Sequence, residues 1–167
     1  KTDVWGQAQL FFKLWQGGLE RMTSSTHTMI QDAVTTGLCG NTTGKATPDW
    51  EAIVANYQAG LQQMPVALQA APALLDNYLL NEMFRETFPC GMAAPYRHFL
   101  GMISRFGVLR LMLSAVCNTS SLPDPAMLAR TTQVFNRLYP HPSFSTQAIQ
   151  ALEFLGFDKP DRFPALL

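Results

Sequence analysis

The 167 residues suffice for one domain with a proper core, without help from disulfides or metals. Lys+Arg and Asp+Glu balance at 12 each, so no global field and no basic run draws in nucleic acid. Apolar residues make up 47% and charged residues only 14%, which calls for a large core or a surface that meets a partner.

Residues 4–16 place Leu10, Phe11, Leu14 and Trp15 at helical spacing, and Gly17-Gly18 weakens or ends that helix. A second helix runs from Leu19 or Ser25 to Thr36 with Met22, Met29, Ile30 and Val34 inward, and Gly37 suits its C-terminal cap. Residues 37–47 form a loop. Thr47-Pro48 then opens a third helix, with the hydroxyl as N-cap, proline at the first helical position, and Asp49 and Glu51 at the positive dipole end. It carries Trp50, Ile53, Val54, Tyr57 and Leu61 and should falter near Pro65.

A fourth helix follows Pro72 and runs to Thr87, stopped by Pro89, and a long one spans Pro95 to Cys117. Another is opened by Asp124-Pro125 and ends before Pro140. In the last, Ser145 is the N-cap, Phe144 and Ile149 occupy staple positions, and Gly156-Phe157 supplies a left-handed stop. No segment of any length alternates with period two, and no repeat or low-complexity tract appears. The expectation is an all-α, bundle-like single domain of six or seven helices over residues 1–167, a fragment of a larger protein, since the start at Lys1-Thr2-Asp3 has neither an initiator Met nor a signal core.

The longest apolar stretch, Phe99 to Cys117, is broken by Arg105 and Arg110. A charge at a bilayer centre costs about 2.5–3.5 kcal/mol, so this is a core helix and no transmembrane segment is expected. Cys39, Cys90 and Cys117 lack a C-x-x-C, which argues against disulfide or zinc frameworks and for a cytoplasmic location. Asn41-Thr42-Thr43 and Asn118-Thr119-Ser120 are read as polar turns rather than glycosylation sites.

Gly40 to Lys45 is superficially similar to a phosphate-binding loop, but it has three residues between glycines, Ala46 where a hydroxyl is needed, and a helix rather than a strand before it. His27, His98 and His141 have no second ligand at i+3 or i+4, so no metal site is expected. No nucleophile elbow or paired carboxylate stands out, and no catalytic residue is assigned.

Two irregularities invite a function. On a helical projection of the long helix the apolar face centres on Phe99, Ile103, Phe106 and Leu113; Arg105 lies away from it, whereas Arg110 falls inside it. A guanidinium there needs a partner. On the preceding helix Asn77 and Asn81 share a side with Leu80, Phe84 and Phe88, and Glu82 and Glu86 take the other flank. Either Arg110 ties two antiparallel helices through a carboxylate or amide, or Arg110, Asn77 and Asn81 line a polar cleft for a ligand or substrate side chain. Trp5, Trp15 and the tail Phe163 to Leu167 are candidates for a docking face.

The run Leu75 to Phe84, followed by Phe88-Pro89, resembles the flagellin lysine-N-methylase family, in which an N-Y-L-x-N-x-x-F helix leads to an F-P break. The next helix of that family opens Y-x-x-F/Y-L and continues to R-F/Y-x-x-x-R/K; here stand Tyr96, Phe99 and Leu100, then Arg105-Phe106 and Arg110. Val134 to Arg137, with His141 and Phe144 after it, is also similar. The resemblance covers Leu74 to Leu155 and leaves the first 70 residues unassigned. It implies the C-terminal helical domain of an enzyme that transfers a methyl group from S-adenosylmethionine to flagellin lysines. It also implies a cysteine-rich, iron–sulfur-like N-terminal region as this domain's own partner, no family catalytic residue here, and a domain that supports catalysis or binds flagellin. The rival reading is a non-enzymatic helical interaction or ligand-sensing regulator module.

Overall fold

The computed structural model describes residues 3–19, 25–40, 47–119, 123–139 and 142–166. They form seven α-helices and a terminal 3-10 turn, with no strand among the described residues. The helices are α1 (Val4–Leu19), α2 (Ser25–Cys39), α3 (Trp50–Leu68), α4 (Leu74–Arg85), α5 (Pro95–Cys117), α6 (Pro125–Leu138) and α7 (Pro142–Leu155). The all-α expectation holds.

The architecture is organised around α5, against which α1, α2, α3, α6 and α7 all pack. Sixteen of its 23 residues are buried, which corrects the one-sided apolar face expected from the sequence. A helix apolar all round belongs at the centre of a bundle, and α5 is also the one described helix long and apolar enough to cross a membrane. Here most of that stretch is covered by its neighbours. Leu109, Leu111, Met112 and Leu113 are fully enclosed, with Phe11, Trp15, Ile30, Leu38, Ile53 and Tyr57 closing over them.

Two glycines permit that closeness. A Cβ on Gly37 of α2 would stand 1.9 Å from the Ala115 carbonyl oxygen, and one on Gly60 of α3 2.1 Å from that of Ser114. The backbones of α2 and α3 therefore rest directly on α5. This explains why Gly37 is not the end of α2, as the sequence suggested. The helix runs on to Cys39, Gly40 at φ 59° ends it, and the Asn118 side-chain amide donates to the Gly37 carbonyl at 2.8 Å. The expected loop over residues 37–47 thus loses its first three residues to the helix, and residues 41–46, with the phosphate-loop look-alike and the first Asn-Thr-Thr, lie outside the described residues.

Other boundaries shift for identifiable reasons. Helix α1 continues through Gly17-Gly18, where Gly18 makes room for the ring of Tyr139, whose hydroxyl donates to the Trp15 carbonyl at 2.7 Å. The N-cap of α3 is Asp49 rather than Thr47, its carboxylate accepting from the Ala52 amide at 3.2 Å, and Pro65 lies within the last turn instead of ending the helix. Asp124 caps α6 as expected, accepting from Met127 at 2.7 Å. Helix α7 starts at Pro142, so Ser145 sits inside its first turn and is not the cap. Its stop is the expected one: Gly156 has φ 71°, and the Phe157 amide donates back to Leu152 at 2.9 Å.

Helix α4 differs from the rest. Only Tyr78 and Glu82 are fully buried, with Leu74, Leu75 and Leu79 partly covered against the core. The Tyr78 ring stacks on Phe106 and meets Phe135 edge-on, while Leu80, Met83 and Phe84 face outward. Tyr78 and Glu82, helped by the partly buried Leu74, Leu75 and Leu79, hold this helix to the body.

Candidate functional site

Of the three residues singled out from the sequence, the structure brings none together. Asn77 and Asn81 are exposed on the outer side of α4, beside Leu80 and Phe84. Arg110 is half-buried and engages the hydroxyl of Tyr57 on α3. Burial pushes the Tyr57 phenol up, and the Arg110 charge and hydrogen bond pull it partly back. That hydroxyl also donates to Gln7 at 3.2 Å, and Gln7 donates to the Ala165 carbonyl at 3.2 Å. Arg110 thus ties helices together, but it ties α5 to α3 and, through Gln7, to α1 and the C-terminal turn. Among its partners is the phenol of Tyr57.

The buried charge lies elsewhere. Arg105 is 2% exposed, and its guanidinium holds Glu82 at 2.9 Å and Glu86 at 3.1 Å. Arg85, one turn beyond Glu82 on α4, reaches the same two carboxylates at 2.7 and 3.0 Å. The result is a four-membered ring of alternating charge with Glu82 and Arg105 inside and Arg85 at the rim. Burial pushes the Glu82 carboxyl above its ordinary range, against the pull of Arg105 and then Arg85. The Tyr78 phenol beside it is also driven up, first by burial and then by the Glu82 charge, and its buried oxygen finds no hydrogen-bond partner among the described residues.

This ring forms one side of a cleft of about 310 Å³. The connection between α4 and α5 supplies Glu86 and Met92, α5 supplies Arg97, His98, Gly101, Met102 and Arg105, and the first two turns of α7 supply Ser145, Thr146 and Ile149. The connection turns through Thr87 at φ 54° and a cis Phe88–Pro89 peptide, then folds back so tightly that a Cβ on Gly91 would lie 1.9 Å from the Glu86 carbonyl oxygen. His98 is held under that loop, 3% exposed, its ring edge-on to Phe88 and its Nε2 3.9 Å from Glu86 Oε2. At the rim Arg97 pairs with Glu153 of α7.

The docking candidates also change. Trp5 is half exposed, but Trp15 is buried, and Phe163 of the tail packs edge-on against Phe99 and Tyr96. The most exposed aromatic rings are Phe84 on α4, at 81%, and Phe154 on α7, at 89%.

The chain is a helical domain built on one central helix, with buried charges gathered beside a small cleft. No three His, Cys, Asp or Glu side chains among the described residues stand together to hold a metal ion. The chain belongs to the family described as the FliB lysine N-methylase C-terminal domain, which matches it over residues 1–163. The resemblance carried by Leu74 to Leu155 thus extends through the first 70 residues, which the sequence motifs alone had left unassigned. Neither a curated protein nor a solved structure matches the chain.

Proposed function

We propose that this domain serves a cytoplasmic, S-adenosylmethionine-dependent methyltransferase that modifies lysines of flagellin, and that its part is to bind the protein substrate or hold the catalytic region. The observation that carries the reading is membership of a lysine N-methylase C-terminal domain family across residues 1–163. The exposed Leu80, Met83 and Phe84 on a lightly anchored helix support a docking role, since apolar side chains presented together favour a partner surface.

The iron–sulfur cluster implied by the resemblance does not fit the cysteines of this chain. Cys39 is half-buried at the end of α2, Cys90 is exposed in the α4–α5 connection, and Cys117 is buried at the end of α5. Burial pushes the Cys39 thiol up and the Cys117 thiol to about 11, away from the thiolate a cluster needs. A cluster in this enzyme would draw its ligands from a cysteine-rich region outside these residues.

The test is transfer of labelled methyl from S-adenosylmethionine to flagellin by the whole protein, alongside capture of flagellin by this chain alone. Methyl transfer that requires this domain, together with capture, supports substrate binding; transfer without capture assigns the domain to holding the catalytic region. No transfer to flagellin by the whole protein refutes the reading and favours a regulatory interaction module.

A further inference from the structure

The cleft between the α4–α5 connection and α7 has more donors than acceptors. Its lining carries two guanidiniums, Arg97 and Arg105, and the imidazole of His98, against one carboxylate, Glu86. That carboxylate is already shared, since Arg85 and Arg105 both donate to its Oε1, at 3.0 and 3.1 Å. Arg97 is half exposed and pairs with Glu153 at the rim. The other two donors are almost wholly buried and still have polar atoms to spare. His98 is 3% and Arg105 2% exposed, yet neither ring nitrogen of His98 nor the Nε of Arg105 has a hydrogen-bond partner among the described residues. Glu86 Oε2 stands 3.9 Å from His98 Nε2, beyond hydrogen-bond reach. An arginine Nε only donates, and an imidazole carries at least one N–H in either protonation state. Roughly nine in ten buried polar groups are satisfied, so two such groups in one cleft wall call for an acceptor from outside the chain.

We infer that this cleft binds a carboxylate carried on a short apolar chain, the carboxylate accepting from His98 and from Arg105 Nε and the chain lying along Met92, Met102 and Ile149. A hydrogen bond to an ionised acceptor is about twice as strong as a neutral one, and the apolar surroundings strengthen it further. The cleft volume of about 310 Å³ is on the order of ten water volumes, enough for a chain of a few carbons. An inorganic anion would leave the Met and Ile walls uncovered, and a cation would meet two guanidiniums. Such a carboxylate comes as a free short-chain acid or as the glutamate side chain of a partner protein.

The experiment titrates this chain, in chloride at constant ionic strength, with butyrate, butyramide and butylammonium, following the methyl resonances of Met92, Met102 and Ile149. Saturable shifts with butyrate, about fivefold or more weaker with butyramide and absent with butylammonium, are expected. Capped glutamate (N-acetyl-glutamate methylamide) then separates the sources: tighter binding than butyrate assigns the site to a glutamate side chain, weaker binding to a free acid. His98→Leu should cut butyrate affinity by about fivefold or more without lowering Tm, because the ring nitrogens it deletes have no partner in the fold. Glu86→Gln removes the one carboxylate of the lining and should tighten butyrate. Gly101→Ala puts a methyl in the cleft with its nearest neighbour, Ser145 Cβ, at 3.4 Å, and should weaken butyrate while leaving the fold intact. Equal affinity for butyrate and butyramide, tighter binding of butylammonium, or no binding by a folded wild-type chain would overturn the inference. Carboxylate binding here is separate from methyl transfer: a whole protein that leaves flagellin unmethylated does not touch it, and a methylating protein that ignores butyrate refutes it alone.

Discussion

Replacing Arg105 with methionine tests whether α4 is held by charge. Arg105 and Glu82 are almost fully buried, and removing one member of such a pair typically costs about 3–5 kcal/mol because the other charge is left stranded. Glu82 is not fully stranded here, since Arg85 keeps its 2.7 Å contact from a partly exposed position, and Glu86 keeps Arg85 too. The expected cost is therefore about 2–3 kcal/mol, below the orphaned-charge range. At about 2–4 °C per kcal/mol for a chain of this size, Tm should fall by about 4–12 °C. The pair Glu82→Gln with Arg105→Met should cost less than the two single changes summed, because each single change leaves a charge that the double removes. Arg110→Met, at a half-buried site, loses its hydrogen bond to the Tyr57 phenol and should cost at least about 1 kcal/mol. Thermal unfolding of the four variants followed by circular dichroism settles the order. An Arg105→Met cost under about 1 kcal/mol, or strict additivity in the double variant, would refute the argument.

Tyr78→Phe removes a buried hydroxyl without a hydrogen-bond partner and should be neutral or stabilising by up to about 1 kcal/mol, whereas Tyr78→Ala should cost about 3 kcal/mol or more and speed hydrogen exchange of α4 amides ahead of those of α5. Gly37→Ala drives a methyl into the Ala115 carbonyl and should destabilise by about 1–3 kcal/mol, while Gly17→Ala, with open space around it, should stabilise by about 0.5–1 kcal/mol in the same melt. The Glu82 carboxyl is raised above its ordinary 4.5, so the folded state holds this proton more tightly than the unfolded one, and the associated stability is present below that value and lost as pH rises through the raised one. As pH rises above 4.5 the wild type should thus lose stability relative to Glu82→Gln, and an opposite slope in urea melts would show that the guanidiniums outweigh burial. A thiol reagent at about pH 8 should label Cys90 first, with Cys117 unreacted until the fold opens.

The helices were legible in the sequence because their ends are written in local chemistry. Pro95 opens α5, Asp124 caps α6 and Gly156 ends α7, each through contacts within a few residues. The misplaced ends are those decided by distant groups. Gly37 reads locally as a cap, yet its lack of a side chain serves the crossing with Ala115, far along the chain. Gly18 likewise answers to Tyr139. A helical wheel carries no record of such approaches.

The same limit misdirected the search for a site. A projection that assigns α5 one apolar face sends Arg105 to water and Arg110 to the core, because it assumes a helix covered on one side only. Once five helices surround α5, the nominally polar side also needs a cover, and α4 provides it through Tyr78 and Glu82. The signal was present in the spacing: Glu82, Arg85 and Glu86 share a flank of α4, and Arg105, like Arg97 nearer the start of α5, lies off its apolar stripe. Complementary charges off the apolar stripes of two successive helices mark the contact between them more surely than a polar residue within either stripe. A lone Arg among apolar neighbours can engage a hydroxyl on any packed helix, as Arg110 engages Tyr57, whereas two carboxylates and two guanidiniums at helical spacing point to one another.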